Sequence, residues 1–400
     1  MRWSLMDNAI TESDKVELVK FILTSDRYTN GPKVKEFEQA WSNWLGCRHS
    51  LMVSSGSTAN FLLLAAVKEK FNLKNGDKVL VPACTWVTNI SPVFQLGFQP
   101  IFCDINLENF SFDLEHMEQI SKAHPDIKMI FVTHLLGYSA DNEKYSQIFP
   151  EAIILDDICE SHGCLTPAGD KRGANSLGAT FSFYYGHHMT TVEGGMVCTN
   201  NSELYELMRM KRSHGLARES GNLEKYASQY PEIHPQFLFM TDGYNFRSSD
   251  LNAILGLAQL KRLDENIEKR RQNFAQFVDL ISGYRYRHLF YPVVLQEQNS
   301  NFAFPFLCKE RETVIKLKEL FDADQIEHRP IVGGNLLRQP FLKRYTMTSN
   351  NPNTVAFGTF GATRDSYNVD ILQDNGLYIG NSQFVTENHF VKLATILEKL

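Results

Sequence analysis

Six short apolar runs between residues 78 and 198 constrain the fold of this chain more than any other feature. They are Lys78–Val81, Gln99–Cys103, Met129–Thr133, Ala152–Leu155, Ala179–Phe183 and Met196–Cys198. Amphipathic segments such as Thr58–Phe71 and Asp113–Lys122 accompany them. Continuous apolar strands that alternate with helices are typical of a sheet covered on both faces, whose strands run mainly parallel. The sequence therefore predicts an α/β fold with a mainly parallel central sheet.

The pattern changes near residue 250. The segment Ser249–Gln276 places leucine and isoleucine at helical spacing, which predicts one long amphipathic helix. It is followed by two strand-like runs and a helix, at His288–Val294, Asn301–Leu307 and near Glu312–Phe321. We therefore predict a large domain over residues 1–250, and a long connecting helix with a smaller C-terminal α/β domain over residues 251–400.

The composition argues against several classes of protein. The chain has 400 residues, of which 43% are hydrophobic, and its net charge is −6. It can therefore bury a large core, and it lacks the basic field of a nucleic-acid-binding protein. The longest apolar run, Phe61–Val67, is too short to span a membrane, and the N-terminus lacks the apolar core of a signal peptide. We expect a cytoplasmic protein with no membrane span.

The seven cysteines are scattered and form no C-x-x-C pair. An odd number without a regular framework argues against disulfides and zinc ribbons, and fits a reducing compartment. No group of thiolates is suited to an iron–sulfur cluster. The adjacent histidines His187 and His188 are poor metal ligands, because neighbouring side chains on a loop diverge. We expect no metal site.

The segment Ser54–Asn60 has two interpretations. It follows the apolar pair Met52–Val53 and opens a helix. Free N–H groups at a helix start, together with the glycine at position 56, form a cradle for a phosphate group. Serine and threonine also cap a helix without any ligand. The residues alone leave both interpretations open.

Two acids and a tryptophan follow predicted strands. Asp156 and Asp157 come after Ala152–Leu155, and ligands of open α/β sheets bind at the carboxyl ends of the strands. We assign a functional role to Asp157, whereas we interpret Asp156 as a solvated loop acid or a helix cap. Trp86 follows the strand that ends at Val81, where an indole can lie against a flat ring. A tryptophan is more often part of the core, so that alternative stays open.

The loop Phe181–Gly195 carries a histidine in a polar setting. Ser182 offers a hydroxyl group to an anion, and Gly194–Gly195 predicts a turn or a close approach of two backbones. The imidazole of His187 can transfer protons near neutral pH.

Farther along, Asn245 and Arg247 can reach an anion, and Ser249 and Asp250 after them are typical of a helix start.

The order of these motifs resembles that of the DegT/DnrJ/StrS sugar aminotransferases, a branch of the fold-type I (aspartate aminotransferase-like) enzymes that use pyridoxal phosphate. The resemblance extends from Thr29–Pro32 to Gly376–Asn381. In that family Ser-Phe-x-x-x-Lys leads, about eight residues on, to Gly-Gly, and the lysine binds the cofactor covalently. Here Ser182–His187 matches this motif and Gly195 lies eight residues later, so His187 occupies the lysine position. That change is typical of a subgroup that removes the C3 hydroxyl group of nucleotide-linked 4-keto-6-deoxy sugars.

The resemblance implies a 3-dehydratase that binds pyridoxal phosphate or pyridoxamine phosphate without a covalent bond. L-Glutamate would supply the amino group, and the products would be 2-oxoglutarate, ammonia and a 3-deoxy-4-keto sugar. The scattered cysteines favour the members without an iron–sulfur cluster. Those members act on GDP-4-keto-6-deoxymannose, in the formation of colitose-type 3,6-dideoxysugars of the O-antigen. The segment Glu327–Asn335 is similar to theirs as well.

The resemblance also implies which residues bind the phosphate group of the cofactor. The backbone N–H groups of Gly56 and Ser57 would bind it, together with the hydroxyl group of Ser182. Asn245 would reach the phosphate group bound to the neighbouring subunit. A homodimer with composite active sites follows from that role.

Further roles implied by the resemblance concern the ring of the cofactor and the substrates. Trp86 would stack on the pyridine ring, Asp157 would pair with its nitrogen, and Glu160 would lie near its hydroxyl group. His187 would be the catalytic residue that moves protons. Two side chains are candidates for binding glutamate, namely His214 and Arg329.

Some segments depart from the family pattern. The segment after Trp3 lacks the proline that is usual there, and residues 217–240 and 346–368 match poorly. The nucleotide and the sugar therefore stay open. An aminotransferase with a base other than lysine, which would yield a 4-amino sugar, is one alternative. An inactive member that acts as a binding partner is another, although Trp86, Asp157 and the Ser54–Asn60 loop argue against it.

Overall fold

The computed structural model describes residues 2–342 and 367–400. Within this part of the chain, the larger of two sheets has seven strands in the spatial order β1-β7-β6-β5-β4-β2-β3. The strands are β1 His49–Val53, β2 Lys78–Pro82, β3 Gln99–Cys103, β4 Met129–Thr133, β5 Ile153–Asp157, β6 Ala179–Ser182 and β7 Gly195–Thr199. Strands β2 to β6 pair in parallel, whereas β7 runs antiparallel to β1 and β6. The predicted α/β fold with a mainly parallel sheet is confirmed.

The apolar runs locate most of these strands to within one or two residues. The strand β5 extends as far as Asp157, so both of its acids lie inside the strand and not after it. The sequence pattern does not predict β1, because its first two residues, His49 and Ser50, are polar and leave an apolar run of only three residues. Successive side chains face opposite sides of the sheet, and both sides are covered: Val79 and Val81 join one apolar cluster, whereas Leu80 joins another. This double burial explains why the runs are continuously apolar.

Helices surround the larger sheet. In chain order they are α1 Glu12–Thr24, α2 Pro32–Leu45, α3 Gly56–Lys70, α4 Ser91–Gln95, α5 Leu114–Ala123, α6 Asn142–Ile148, α7 Ser202–Arg212 and α8 Leu223–Gln229. The helix α3 is buried along most of its length and packs against β6, β7 and α7. It therefore holds its first turn, at Gly56, rigidly against the centre of the sheet. Two predicted amphipathic segments, Thr58–Phe71 and Asp113–Lys122, correspond to α3 and α5.

The predicted helix Ser249–Gln276 is wrong as a single element, because two helices occupy this segment. They are α9 Asp250–Leu260 and α10 Leu263–Ser282. Arg262 leaves the helical conformation between them, and its guanidinium group binds the carboxylate of Asp14 and, at 3.0 Å, the carbonyl of Ala9. The turn contains no glycine or proline, so helical periodicity does not reveal it.

A smaller antiparallel sheet follows. Its strands are β8 Ala303–Leu307, β9 His328–Arg329 and β10 Gly376–Gly380, in the order β8-β10-β9. The helices α11 Arg311–Ala323, α12 Asn368–Asn375 and α13 Glu387–Leu397 accompany it. The predicted strand His288–Val294 is wrong: only an isolated bridge from Phe290 to Cys308 occurs there, and Pro292 has no N–H group for a ladder.

The two sheets draw their strands from residues 49–199 and 303–380. The division into domains near residue 250 stays a prediction. Of the poorly matched segment 346–368, only the last two residues belong to the described part of the chain. Among the described residues, no helix combines the length and the apolar character needed to cross a membrane.

Candidate active site

A cavity of about 570 Å³ lies between the carboxyl ends of β2, β4, β5 and β6 and the smaller sheet. This is where ligands of open α/β sheets bind. Eight of the ten predicted site residues line it: Gly56, Ser57, Trp86, Asp157, Glu160, Ser182, His187 and Arg329. Residues far apart in the sequence therefore meet in one cavity, as the motif order predicts.

The helix α3 begins at one wall of the cavity with a complete capping box. The Ser55 hydroxyl accepts from the N–H of Thr58 at 3.1 Å, and the Thr58 hydroxyl accepts from the N–H of Ser55 at 3.0 Å. The N–H groups of Gly56 and Ser57, in the first turn, have no acceptor within the helix. The interpretation of this segment as a capped helix start is therefore confirmed. The N-terminus of the helix also faces the cavity, and the phosphate cradle stays a prediction.

Two glycines allow the strands and the first turn of α3 to approach closely. A Cβ atom at Gly56 would lie 2.6 Å from Cβ and 3.0 Å from Oγ of Ser182. A Cβ atom at Gly195 would lie 2.3 Å from the carbonyl oxygen of Ser55. The close backbone approach predicted at Gly195 is confirmed. It brings the Ser182 hydroxyl beside the free N–H groups, which is the arrangement that the predicted phosphate cradle requires.

Asp157 is 4% exposed and is fixed by two hydrogen bonds. Its Oδ2 accepts from Nδ2 of Asn60 at 2.7 Å, and its Oδ1 accepts from the N–H of Cys159 at 2.9 Å. The Asn60 carbonyl oxygen in turn accepts from the Thr180 hydroxyl at 2.6 Å. The sequence prediction gave Asn60 no role of its own, although a polar residue on a buried stretch of α3 is a signal of such a partnership.

Asp156 lies on the opposite face of the sheet and is 1% exposed. Its carboxylate accepts from Nε2 of His134 at 3.1 Å, from Asn142 at 2.6 Å and from the Ser176 hydroxyl. Burial opposes its ionisation, but these donors hold its pKa below the usual value. The interpretation of Asp156 as a solvated acid or helix cap is therefore wrong, because it is a buried structural carboxylate.

Trp86 lies just beyond β2 at the mouth of the cavity. Its side chain is 55% exposed, which excludes the alternative of a core tryptophan. An indole that stays this exposed beside a cavity offers a flat apolar surface to a ligand ring.

Glu160 lies half-buried on the cavity wall. Its Oε2 accepts from the N–H of Leu136 at 2.9 Å, and Leu136 has a left-handed φ of 52°, which is uncommon for leucine. Desolvation by the surrounding protein raises the pKa of Glu160 to about 7, and the nearby charge of Asp157 acts in the same direction. Glu160 can therefore carry a proton at neutral pH.

His187 faces the cavity, whereas His188 faces away from it. The His187 ring packs edge-on against Phe302, with 6.1 Å between ring centres, and its Nδ1 is buried without a partner. Burial, and then the positive charge of Arg270, lowers its pKa to about 4, so the imidazole is neutral at pH 7. His188 is 1% exposed, and its Nε2 lies 2.8 Å from the Ser300 carbonyl oxygen. Of the two adjacent histidines, His187 is therefore the one that faces the cavity.

His214 and Asn245 do not line the cavity. Both are exposed, and both contact Arg247: its Nη2 lies 3.4 Å from Nε2 of His214, and its Nε donates to Oδ1 of Asn245 at 3.1 Å. His214 therefore has no contact with the cavity of its own subunit. Arg329 lines the cavity and pairs with Tyr378 in the smaller sheet.

Comparison with known proteins is consistent with this geometry. The model of the DegT/DnrJ/EryC1/StrS aminotransferase family matches residues 9–359. The chain belongs to this family. Among its relatives, the GDP-4-keto-6-deoxy-D-mannose 3-dehydratase of Yersinia pseudotuberculosis is 32% identical, over 97% of this chain and 96% of its own length. The family resemblance of the motifs is thereby confirmed.

Two solved structures of GDP-4-keto-6-deoxymannose-3-dehydratase share the fold. One contains a trapped PLP–glutamate geminal diamine; it is 28% identical and has a TM-score of 0.83, over 99% of this chain and 100% of its own. The other is a histidine-to-asparagine variant with bound GDP-perosamine; it is 30% identical and has a TM-score of 0.86, over 99% and 100%. The predicted fold-type I architecture of this DegT/DnrJ/EryC1/StrS family member is confirmed.

Proposed function

We propose that this family member is a 3-dehydratase of a nucleotide-linked 4-keto-6-deoxy sugar, with GDP-4-keto-6-deoxymannose as its substrate. One observation carries the proposal: a neutral imidazole, His187, faces the cavity at the family's lysine position. The rest of the cavity retains Trp86, Asp157 and the cradle at Gly56. The names of the relatives reported above support the same activity.

The cavity fits pyridoxal phosphate or pyridoxamine phosphate. The cradle of Gly56, Ser57 and Ser182 suits the phosphate group, because a Cβ at position 56 would close it. Asp157, oriented by Asn60, suits the ring nitrogen. Among the described residues that line the cavity there is no lysine. We therefore propose that the cofactor is bound non-covalently, with Trp86 against its ring.

The cofactor and the side chains of the protein would contribute different parts of the chemistry. Pyridoxamine phosphate, when bound, supplies a primary amine and an electron-withdrawing ring. Asp157 would keep the ring nitrogen protonated. His187 would take a proton at the methylene carbon of the cofactor and would donate one to the departing C3 oxygen of the sugar. An imidazole with a low pKa is a free base at pH 7 and a ready acid once protonated, so one residue serves both steps.

L-Glutamate is the proposed amino donor, with Arg329 as the candidate for binding its carboxylate. Glutamate would leave as 2-oxoglutarate, and hydrolysis after loss of the C3 oxygen would release ammonia and the 3-deoxy-4-keto sugar. We place this reaction in the cytoplasm, in the formation of a colitose-type sugar for the O-antigen.

A homodimer with composite sites belongs to the same proposal. Apolar side chains of α1 are exposed, among them Val16 at 63% and Leu23 at 79%, and such a surface fits a protein partner. Asn245 is exposed outside the cavity of its own subunit. The exposed apolar side chains of α1 support contact with a second copy of the chain, and the exposure of Asn245 fits a role in which it reaches the phosphate site of that copy.

Product analysis tests the proposed function. The protein, loaded with pyridoxamine phosphate, is incubated with L-glutamate and GDP-, CDP- or dTDP-linked 4-keto-6-deoxy sugars, and the products are analysed by mass spectrometry. We expect loss of the C3 oxygen and release of ammonia, with the GDP-linked sugar preferred. A 4-amino sugar without ammonia would instead identify an aminotransferase. A protein that binds no cofactor would favour the inactive binding partner.

The pH dependence of the sugar half-reaction tests Glu160. Its pKa is raised to about 7, so the protonated form, which can donate to the ring hydroxyl oxygen, is lost as the pH rises above 7. The neutral form of His187 is lost below its pKa of about 4. We expect a single-turnover rate that is flat between these values and falls about tenfold per pH unit above 7.

The variant Glu160→Gln is the matched control for this profile, because an amide keeps a donor at every pH. It should stay active to pH 9, without the alkaline limb. An alkaline limb that is unchanged in Glu160→Gln would assign that limb to another group.

A further inference from the structure

The N-terminal strap, residues 3–7, is fixed to the smaller sheet on both sides of Met6. Trp3 is buried, and its Nε1 donates to the Gly380 carbonyl at 2.9 Å. The N–H of Leu5 donates to Oε2 of Glu327 at 3.0 Å. On the other side of Met6, the Ser382 hydroxyl donates to Oδ2 of Asp7 at 2.5 Å. The strap is therefore held in place, although it departs from the family pattern after Trp3.

This anchoring places the Met6 side chain on the wall of the cavity, beside the catalytic histidine. A Cβ atom at Gly186 would lie 2.4 Å from the Met6 sulfur atom, so the Met6 thioether packs directly against the residue before His187. Phe302 packs against His187 from another direction, with 6.1 Å between ring centres. The cavity wall at His187 thus includes a thioether and a phenyl ring, and the ring of Tyr184 also packs edge-on against His187, with 6.0 Å between ring centres.

The cavity also has polar lining residues. They include Asp157, Glu160 and Ser182, together with the helix start at Gly56, and the proposed cofactor accounts for these. The apolar surface at Met6 and Phe302 has no role in binding a phosphate group, a ring nitrogen or glutamate. This surface therefore fits an apolar group of the sugar substrate that lies close to the atoms on which His187 acts.

We propose that Met6 is a specificity-determining residue for the sugar, and that its thioether contacts carbon 6 of a 6-deoxy sugar. The inference rests on the proposed function, because it is the 4-keto sugar that brings this carbon to the site. Carbon 4 has two ring neighbours: carbon 3, which carries the departing hydroxyl group, and carbon 5, which carries the methyl group. The methyl is thus the apolar group closest to the reaction. A hydroxyl group on carbon 6 would gain no strong hydrogen bond from the Met6 thioether or the Phe302 ring.

The substitutions Met6→Gln and Met6→Leu form a matched pair, because both keep a side chain of similar size and only glutamine is polar. For Met6→Gln we expect kcat/KM for the 4-keto-6-deoxy sugar to fall roughly tenfold, mainly through KM. Met6→Leu should stay close to the wild type. The glutamate half-reaction, which also depends on His187, should be unchanged in both variants.

The two half-reactions separate a contact with the sugar from a structural role. An equal loss in both half-reactions of Met6→Gln would overturn the inference and assign Met6 to positioning the His187 loop. Wild-type sugar kinetics in Met6→Gln would overturn it too. Wild-type protein that converts none of the 4-keto-6-deoxy sugars, while glutamate still reacts, would overturn the proposed function and the inference with it.

Discussion

Replacement of His187 with asparagine is expected to lower the rate of the sugar half-reaction by roughly 10²- to 10⁴-fold, the range of general acid–base catalysis. Asparagine fills much of the same space but cannot accept a proton. The loop should keep its shape, because the hydrogen bond from the N–H of His187 to the Tyr184 carbonyl, 3.1 Å long, belongs to the backbone. Single-turnover kinetics with pyridoxamine-phosphate-loaded protein measure the effect, and the cofactor absorbance measures retention.

The adjacent histidine provides the control for this experiment. His188→Gln keeps a donor for the Ser300 carbonyl oxygen and lies outside the cavity, so it should retain the turnover of the wild type. His187→Lys should bind the aldehyde form of the cofactor covalently, with a shifted absorbance. Full dehydratase activity in His187→Asn would remove His187 from the mechanism, and an unchanged spectrum in His187→Lys would show that the position does not face the cofactor.

The fold is predictable from this sequence where burial alone decides the structure. A parallel strand that is covered on both faces buries all of its side chains, so it needs a continuous apolar run. The strands β3 and β4 therefore have the predicted bounds. The strand β1 and the break between α9 and α10 at Lys261–Arg262 could not be predicted in this way. Pairing with β7 outweighs the polar residues of β1, and a distant acid, Asp14, holds the turn at Arg262. Such tertiary contacts leave no local pattern in the sequence.

The same distinction applies to the candidate site. The resemblance of Ser182–Gly195 to the family motif selects His187 over its neighbour, and His187 is the histidine of this pair that lines the cavity. The role of Asn60 depends on β5 and β6 lying beside α3, and the role of Met6 depends on a strap bound to the other sheet. Partners that come from distant elements become visible only when the chain is folded.

Replacement of Asp157 with asparagine is expected to slow both half-reactions by roughly 10²- to 10³-fold, the magnitude for loss of one preorganised electrostatic partner. Both half-reactions need electrons to flow into the cofactor ring, and a neutral amide does not keep the ring nitrogen protonated. Asn60 and the N–H of Cys159 hold the carboxylate in one orientation. Rapid-scan absorbance after addition of glutamate, and then of the sugar, measures the two rates separately.

A variant at Asp156 is a closely matched control for Asp157→Asn, because Asp156 precedes Asp157 in the same strand and faces the opposite side of the sheet. Asp156→Asn should retain the rates of both half-reactions. It should also lower the free energy of unfolding by about 1–3 kcal/mol, because a buried acceptor of the hydrogen bonds from His134, Asn142 and Ser176 is weakened. Urea denaturation measures this loss. Slow catalysis in Asp156→Asn together with normal catalysis in Asp157→Asn would contradict this prediction. It would mean that the residue on the other face of β5 pairs with the cofactor nitrogen. Catalysis would then have to occur outside the cavity that Asp157, Trp86 and His187 line together.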